Sequence, residues 1–79
     1  MKFGVYSIRD VHTGFLPLTV DQNDESARRN FRHAIMNDQS LFSTHPKDYD
    51  LYKVGVFDSD SGLIDVIVPP THLMAATDA

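Results

Sequence analysis

Residues 51–68, LYKVGVFDSDSGLIDVIV, decide the fold class of this sequence. The two runs Leu51–Phe57 and Leu63–Val68 are rich in β-branched and aromatic side chains, which suit a pleated sheet. The five residues between them, DSDSG, are turn formers, and Gly62 can adopt a positive φ. The pattern predicts an antiparallel β-hairpin whose second strand ends at Pro69–Pro70, because proline donates no backbone N–H.

Two further extended segments lie at the start of the chain. Lys2–Arg9 has the same strand-forming composition, and the turn residues of Asp10–Gly14 follow it. Phe15–Val20 is again apolar but contains Pro17, which restricts it to an edge strand or a bulge. This part of the chain therefore predicts one regular strand and one interrupted edge segment.

Asp21–Asn37 predicts an amphipathic helix. Asp21 is a good N-cap residue, and Asp24 and Glu25 place negative charge in the first turn, where the helix dipole favours it. One side of the helix carries apolar residues at i, i+4, i+7 and i+8, namely Ala27, Phe31, Ala34 and Ile35. That stripe is expected to face a core.

The connector Asp38–Asp50 is polar, but its large apolar residues Leu41, Phe42 and Tyr49 are expected to hold part of it on the core. Together the elements predict a single small α+β domain. Its three- to four-stranded, mainly antiparallel sheet has one helix packed across one face, in the order β-β-α-β-β. The domain is expected to span residues 1–70, with residues 71–79 as a loosely ordered C-terminal tail.

The predicted strands are apolar on both faces. Alternation sets Phe3 and Val5 against Tyr6 and Ile8 in the first strand. In the hairpin it sets Leu51 and Phe57 against Tyr52, Val54 and Val56, and Leu63 and Ile67 against Ile64, Val66 and Val68. Because one helix covers one face, the other is expected to be covered by the Leu41–Tyr49 loop and the tail, or by a second copy of the chain. We favour a homodimer, since small domains often need such support.

Composition excludes several classes of protein. The chain has 79 residues, no cysteine and a net charge of −4, which excludes disulfides and thiolate metal sites and argues against a polybasic nucleic-acid coat. The charge is unevenly spread, because residues 1–47 carry six basic and five acidic side chains and residues 48–79 carry one and six. No apolar run approaches the roughly 20 residues of a membrane span, and no secretory signal is visible, so we expect a cytoplasmic protein without a membrane partner.

The strongest candidate binding feature is a basic face on the predicted helix. Arg28, Arg29 and Arg32 lie close together, and guanidinium groups suit phosphates. Lys2, Arg9 and Lys53 are candidate assisting residues, since aromatic residues near them could stack the bases of a single strand. The alternatives are a solvated face, with Glu25 paired to Arg29 and Asp24 to Arg28, and aromatic residues that serve only the core.

The sequence offers no catalytic set. Its four histidines lie in four different segments without metal-ligand spacing, and it has neither a nucleophile elbow nor a glycine-rich phosphate loop. DSDSG superficially matches a calcium loop, but glycine is at the fifth position instead of the sixth and the twelfth is Pro69. We therefore expect no enzyme, no metal and no cofactor.

An ordered set of short motifs supports a family resemblance. The set is VYSIRD at 5–10, the Gly- and Pro-containing stretch 14–20, ARRNF at 27–31, NDQS at 37–40, His45-Pro46, Asp48-Tyr49, Leu51-Tyr52, Gly55, Phe57-Asp58, Gly62 and Pro69-Pro70. Over residues 3–72 the chain resembles the small nonstructural protein of gokushovirus-type microviruses, which are bacteriophages with single-stranded DNA genomes.

The resemblance implies an accessory factor in viral genome replication or packaging, acting in the cytoplasm of the bacterial host cell. Proteins of this family are commonly labelled nonstructural or DNA-binding, which implies single-stranded DNA as the ligand of the basic helix face. The alternative is a protein-interaction or regulatory module that recruits a viral or host replication or assembly partner without touching DNA.

Overall fold

The computed structural model describes residues 1–37 and 39–79. Asp38, the first residue of the predicted connector, lies outside them. The strands are β1 (Lys2–Asp10), β2 (Gly14–Phe15), β3 (Thr19–Asp21), β4 (Tyr49–Asp58) and β5 (Ile64–Ala75). The helices are α1 (Asp24–Ile35) and α2 (Leu41–Thr44), with short 3₁₀ turns at Pro46–Asp48 and Ala76–Asp78.

The strands form one antiparallel sheet with β1 inside it. On one side β1 pairs with β4, which in turn pairs with β5. On its other side β1 pairs with β3 near its start and with β2 near its end, so that β2 and β3 together form an edge interrupted around Pro17. The predicted α+β fold, with one main helix across an antiparallel sheet, is confirmed.

Helix α1 begins three residues later than predicted. Asn23 is its N-cap, and the Asn23 side chain accepts the backbone N–H of Ser26 at 2.8 Å. The predicted N-cap, Asp21, belongs to β3, where it pairs with Gly4 of β1, so its backbone is committed to the sheet. The Asp21 carboxylate instead accepts a hydrogen bond from the Asn30 amide at 2.9 Å.

The apolar stripe of α1 packs on the sheet, as predicted. Ala27 and Phe31 are buried, and Ile35 packs partly buried against the same cluster. The rest of the core comes from β1, β4 and the C-terminal segment, namely Tyr6, Tyr49, Leu51, Met74 and Ala76. Burying a Leu, Met or Phe side chain contributes about 1.5–3 kcal/mol, so this cluster is the main source of stability.

Strand β5 does not end at the prolines, and the prediction that it does is wrong. It continues to Ala75, with a cis peptide bond between Val68 and Pro69. Residues 67–70 form a bulge, since Val66 pairs with Gly55 and the next pair in β4 is Lys53 with Thr71. Prolines are tolerated there because a bulge in an edge strand needs no ladder donor from them.

The C-terminal segment is part of the domain instead of a loose tail. Residues 71–75 pair with β4, and Met74 and Ala76 are buried in the core. The last residues close with a 3₁₀ turn, in which Asp78 accepts the backbone N–H of Ala75 at 2.8 Å. Domain limits at residue 70 would therefore remove core side chains.

A second bulge, this one in β4, changes which side chains of β4 share a face of the sheet. Tyr6 pairs with Lys53 and Val5 with Gly55, which leaves Val54 as an extra residue. Leu51, Lys53 and Val56 therefore share the helix-covered face, while Tyr52 and Phe57 lie on the opposite face. The prediction that Leu51 and Phe57 share a face is wrong, because local alternation cannot register an inserted residue.

The connector packs on the helix side of the sheet. Phe42 of α2 contacts Phe31 edge-on, with ring centroids 5.9 Å apart, and Tyr49 at 4.8 Å. Leu41, by contrast, is exposed. The Leu41–Tyr49 loop therefore does not cover the second face, whereas His72 of the C-terminal segment lies on that face against Tyr52. The predicted covering by loop and tail is thus confirmed only for the tail, and the homodimer stays a prediction.

Candidate interaction surfaces

The basic face of α1 is narrower than predicted. Arg28 is half-buried, and its guanidinium donates to the Glu25 carboxylate. Arg29 and Arg32 are exposed and line a shallow pocket of about 320 Å³ together with Glu25. Within residues 1–37 and 39–79 no ion pair involves Arg29 or Arg32, so the predicted Glu25–Arg29 pair does not form.

Lys53 is occupied by a contact that ties α1 to the sheet. Its ammonium lies 3.0 Å from the Asp24 carboxylate, which also accepts the Tyr6 hydroxyl at 2.7 Å. Burial raises the pKa of Asp24, but hydrogen bonds from Tyr6 and Lys53 and the charges of Lys53 and Arg28 outweigh it, so that pKa is lowered. Burial and the Asp24 carboxylate raise the pKa of Tyr6 far above its usual range, so Tyr6 stays a donor. The group is a structural network in which Lys53 replaces the predicted Asp24–Arg28 pair.

Lys2 is also paired with a carboxylate. Its ammonium lies 3.4 Å from Asp58, whose pKa is lowered by the backbone N–H of Asp60 and by the charge of Lys2. Lys2 and Lys53 line one open pocket of about 490 Å³ beside the start of α1, together with Asp24 and Glu25. The pocket therefore contains both signs of charge and has no net attraction for a phosphate.

Arg9 lies apart from the other basic residues. It is seven residues from Lys2 along β1, roughly 23 Å at the rise of a β-strand, and on the opposite face of the sheet. Its neighbours on the adjacent strands are Asp50 and Phe15. The six basic residues predicted as one site are therefore split into an exposed pair on α1, three residues paired with carboxylates and one distant arginine.

The helix-free face carries an aromatic row that the sequence patterns did not reveal. Tyr52 contacts Phe15 and His72 edge-on, at centroid distances of 5.4 and 5.3 Å. The His72 ring nitrogen lies 3.0 Å from Asp50. The row spans β2, β4 and β5, and only the strand register brings its members together. Lys53, next to Tyr52 in sequence, lies on the other face and cannot assist it.

The most exposed apolar feature is the second half of the hairpin. Leu63, Ile64, Val66 and Val68, here called the hairpin surface, are 68, 55, 76 and 85% exposed. Ile64, Val66 and Val68 belong to β5 and Leu63 directly precedes it. Strand β5 forms the outer edge of the sheet in the described part of the chain. The alternation of Ile64, Val66 and Val68 was visible in the sequence, but their exposure was not, because it depends on which elements reach them.

Two other kinds of feature, a candidate metal site and a membrane-spanning helix, do not occur among the described residues. No group of three or more His, Asp or Glu side chains among them could hold a metal ion. None of the described helices is long and apolar enough to cross a membrane.

The fold and these surfaces define a small α+β domain whose most distinctive exposed feature is an apolar hairpin. The family model for Phage ORF5 protein matches residues 3–79, and the chain belongs to that family. It is therefore a phage accessory protein, which confirms the phage origin implied by the resemblance. The comparisons with curated proteins and with solved structures gave no match.

Proposed function

We propose that this phage protein is a non-enzymatic interaction module that binds a viral or host replication or assembly protein through the hairpin surface. The observation that carries the proposal is the exposure of four large aliphatic side chains on one hairpin. Contiguous exposed apolar patches mark interaction sites in soluble proteins. The resemblance to the small nonstructural protein of gokushovirus-type microviruses supports a role for this activity in genome replication or packaging within the host cytoplasm.

Charge supports a protein partner over a nucleic acid. Asp58, Asp60 and Asp65 lie in or beside the hairpin, and no lysine or arginine lies between Lys53 and the end of the chain. Those carboxylates would repel a phosphate backbone. Covering an exposed Val, Leu or Ile contributes about 1.5–3 kcal/mol each, so the hairpin surface can supply most of the free energy of a moderate-affinity complex.

The first prediction concerns Leu63→Ser combined with Val68→Ser. Because both side chains are exposed, the change is expected to alter the free energy of unfolding by no more than about 0.5 kcal/mol. The melting temperature is therefore expected to stay nearly unchanged. Loss of the apolar contacts is expected to abolish the protein's activity in phage growth. The measurement is complementation, by a plasmid-borne copy, of a phage whose own copy of the gene is inactivated.

Met36→Ser is the matched control, since Met36 is 77% exposed but lies at the end of α1. This variant is expected to complement like the wild type. Full complementation by the double serine variant, with a folded protein shown by circular dichroism, would contradict the proposed function.

A second candidate function is single-stranded DNA binding by Arg29 and Arg32. The observation that favours it is that these two guanidiniums are exposed, share one pocket and form no ion pair within the described residues. Two free arginines per chain give only weak binding, which becomes useful when several chains line one strand.

For this candidate, Arg32→Glu is expected to reduce the magnitude of the negative slope of log affinity against log salt by about 0.7. Adding Arg29→Glu is expected to bring the total reduction to about 1.4. Fluorescence anisotropy with a labelled single-stranded oligonucleotide, at several salt concentrations, measures this slope. Lys47→Glu makes the same charge change as Arg32→Glu on the exposed 3₁₀ turn outside the pocket, and it is expected to leave the slope unchanged. Absence of binding by the wild type at low salt would rule the candidate out.

A further inference from the structure

The outer edge of β5 presents unpaired backbone groups. The backbone N–H of Asp58 donates to the Leu63 carbonyl at 2.9 Å. From there the β4–β5 register runs Phe57–Ile64, Val56–Asp65 and Gly55–Val66. Because hydrogen-bonded and non-hydrogen-bonded pairs alternate in an antiparallel ladder, Ile64 and Val66 direct their N–H and C=O groups away from β4. These groups face the free edge of the sheet.

This edge has few of the features that stop a sheet from pairing with another strand. Between Leu63 and Val68 the only charged residue is Asp65, and the prolines come later, at 69 and 70. Edge strands are usually protected by charges, prolines or short length. An edge with free backbone groups and exposed aliphatic side chains is a template for one more strand.

We propose that a second copy of this chain occupies the edge, with its β5 antiparallel to the first about a twofold axis at Val66. In this register Val66 lies opposite its own counterpart, and Ile64 lies opposite Val68 of the second copy. The two sheets become one, and the Ile64, Val66 and Val68 side chains of the two copies become contiguous on one face. The inference rests on the proposed function, since the joined surface is the one offered to the replication or assembly partner.

Charge selects this register over its nearest competitor. A twofold axis at Asp65 would set two carboxylates directly opposite each other, which is destabilising in a sheet. The axis at Val66 instead sets Asp65 opposite Ile67 of the second copy. An unrelated strand would have to supply the same alternation of apolar and acidic residues, whereas a second copy supplies it by symmetry.

The test uses the absence of native cysteine. In the proposed register the two Val66 Cα atoms are about 5.5 Å apart, within the range that a disulfide spans. Val66→Cys is therefore expected to form a covalent dimer on mild oxidation. Paired thiols meet at roughly millimolar effective concentration, so at about 10 µM protein we expect linkage about a hundredfold faster than for Met36→Cys.

Asp65→Cys provides the register control. Its position and the same position in the second copy are diagonal neighbours, about 7–8 Å apart, beyond the usual disulfide range. This variant is expected to link no faster than Met36→Cys. Equal linkage of the Val66 and Asp65 variants, or linkage of the Asp65 variant alone, would overturn the proposal.

Sedimentation equilibrium of the wild type and of Val66→Pro completes the test. The wild type is expected to have the mass of two chains. Val66→Pro is expected to be a folded monomer, since it removes only an outward N–H. A monomeric wild type overturns the dimer but leaves the serine-variant complementation result standing. A dimer whose serine variants still complement overturns the proposed function but supports the dimer.

Discussion

Deletion of residues 71–79 is expected to leave the chain unfolded at room temperature. The deletion removes the part of β5 that pairs with Asp50–Lys53, and it removes Met74 and Ala76 from the core. Truncating a buried Met to Ala alone costs about 2–5 kcal/mol. A domain of this size has about 4–12 kcal/mol of total stability, so the combined loss exceeds or exhausts it. Far-UV circular dichroism and the dispersion of amide resonances measure the result.

Two controls separate loss of the core from mere shortening of the chain. Deletion of Ala79 alone, which is exposed, is expected to change the melting temperature little. Met74→Leu nearly conserves volume and is expected to cost less than about 1.5 kcal/mol. A 1–70 fragment that melts like the full chain would show that the segment is dispensable and would restore the domain limits suggested by Pro69–Pro70.

The fold class was predictable because its determinants are local. The i, i+4, i+7, i+8 stripe on α1 and the strand-forming composition of β1 and β4 need no knowledge of partners. Pro17 predicted the interrupted edge for the same reason, since a missing N–H is a property of the residue itself. Few arrangements of these strands can bury the apolar stripe of α1, and the observed antiparallel sheet is one such arrangement.

The bulges were not predictable from the sequence. Val54 has an ordinary strand-forming side chain, and only its position between the Tyr6–Lys53 and Val5–Gly55 pairs makes it an extra residue. The same holds for residues 67–70, where the bulge lets a strand pass two prolines. Register depends on pairing across the sheet, so alternation counted along one strand gave the wrong face for Phe57. The missing N–H groups of the two prolines gave the wrong end for β5, because a bulge in an edge strand does not need them.

The predicted set of basic residues is divided in the structure for a related reason. Helix spacing suggested that Glu25 and Asp24 would pair with arginines on α1, since i, i+3 and i, i+4 neighbours are visible in sequence. The Asp24 carboxylate instead forms an ion pair with Lys53, which is 29 positions away in the sequence. The pair forms because β4 passes below the start of α1. Tertiary contacts therefore decide which basic side chains form ion pairs. Arg29 and Arg32, which form none with residues 1–37 and 39–79, are a smaller set than the one predicted.

Gly4→Ala is expected to destabilise the protein by about 2–4 kcal/mol, the sum of an overpacking cost and a lost hydrogen bond. Gly4 and Tyr6 lie on the same face of β1, and the Tyr6 ring folds back over Gly4, so a methyl group there would overlap the Tyr6 ring and hydroxyl. Tyr6 is fully buried and bonded to Asp24, so it cannot move aside freely. Thermal unfolding is expected to show a melting temperature lower by roughly 10–30 °C.

Replacing Gly4 by alanine also has a smaller, stabilising effect on the free energy of unfolding. A double-mutant cycle tests whether the Tyr6 side chain is what obstructs the added methyl group. Alanine reduces the entropy of the unfolded chain, which stabilises by about 0.4–1 kcal/mol where the backbone permits it, and Gly4 has no positive φ to forbid it. Tyr6→Leu shortens the obstructing side chain, so Gly4→Ala in that background is expected to cost at least about 1 kcal/mol less than in the wild type. Additive costs would show that Tyr6 is not what requires glycine at position 4. A reduced cost would show that the glycine is needed because Tyr6 must lie flat on β1 to reach Asp24, the contact that fixes the start of α1 to the sheet.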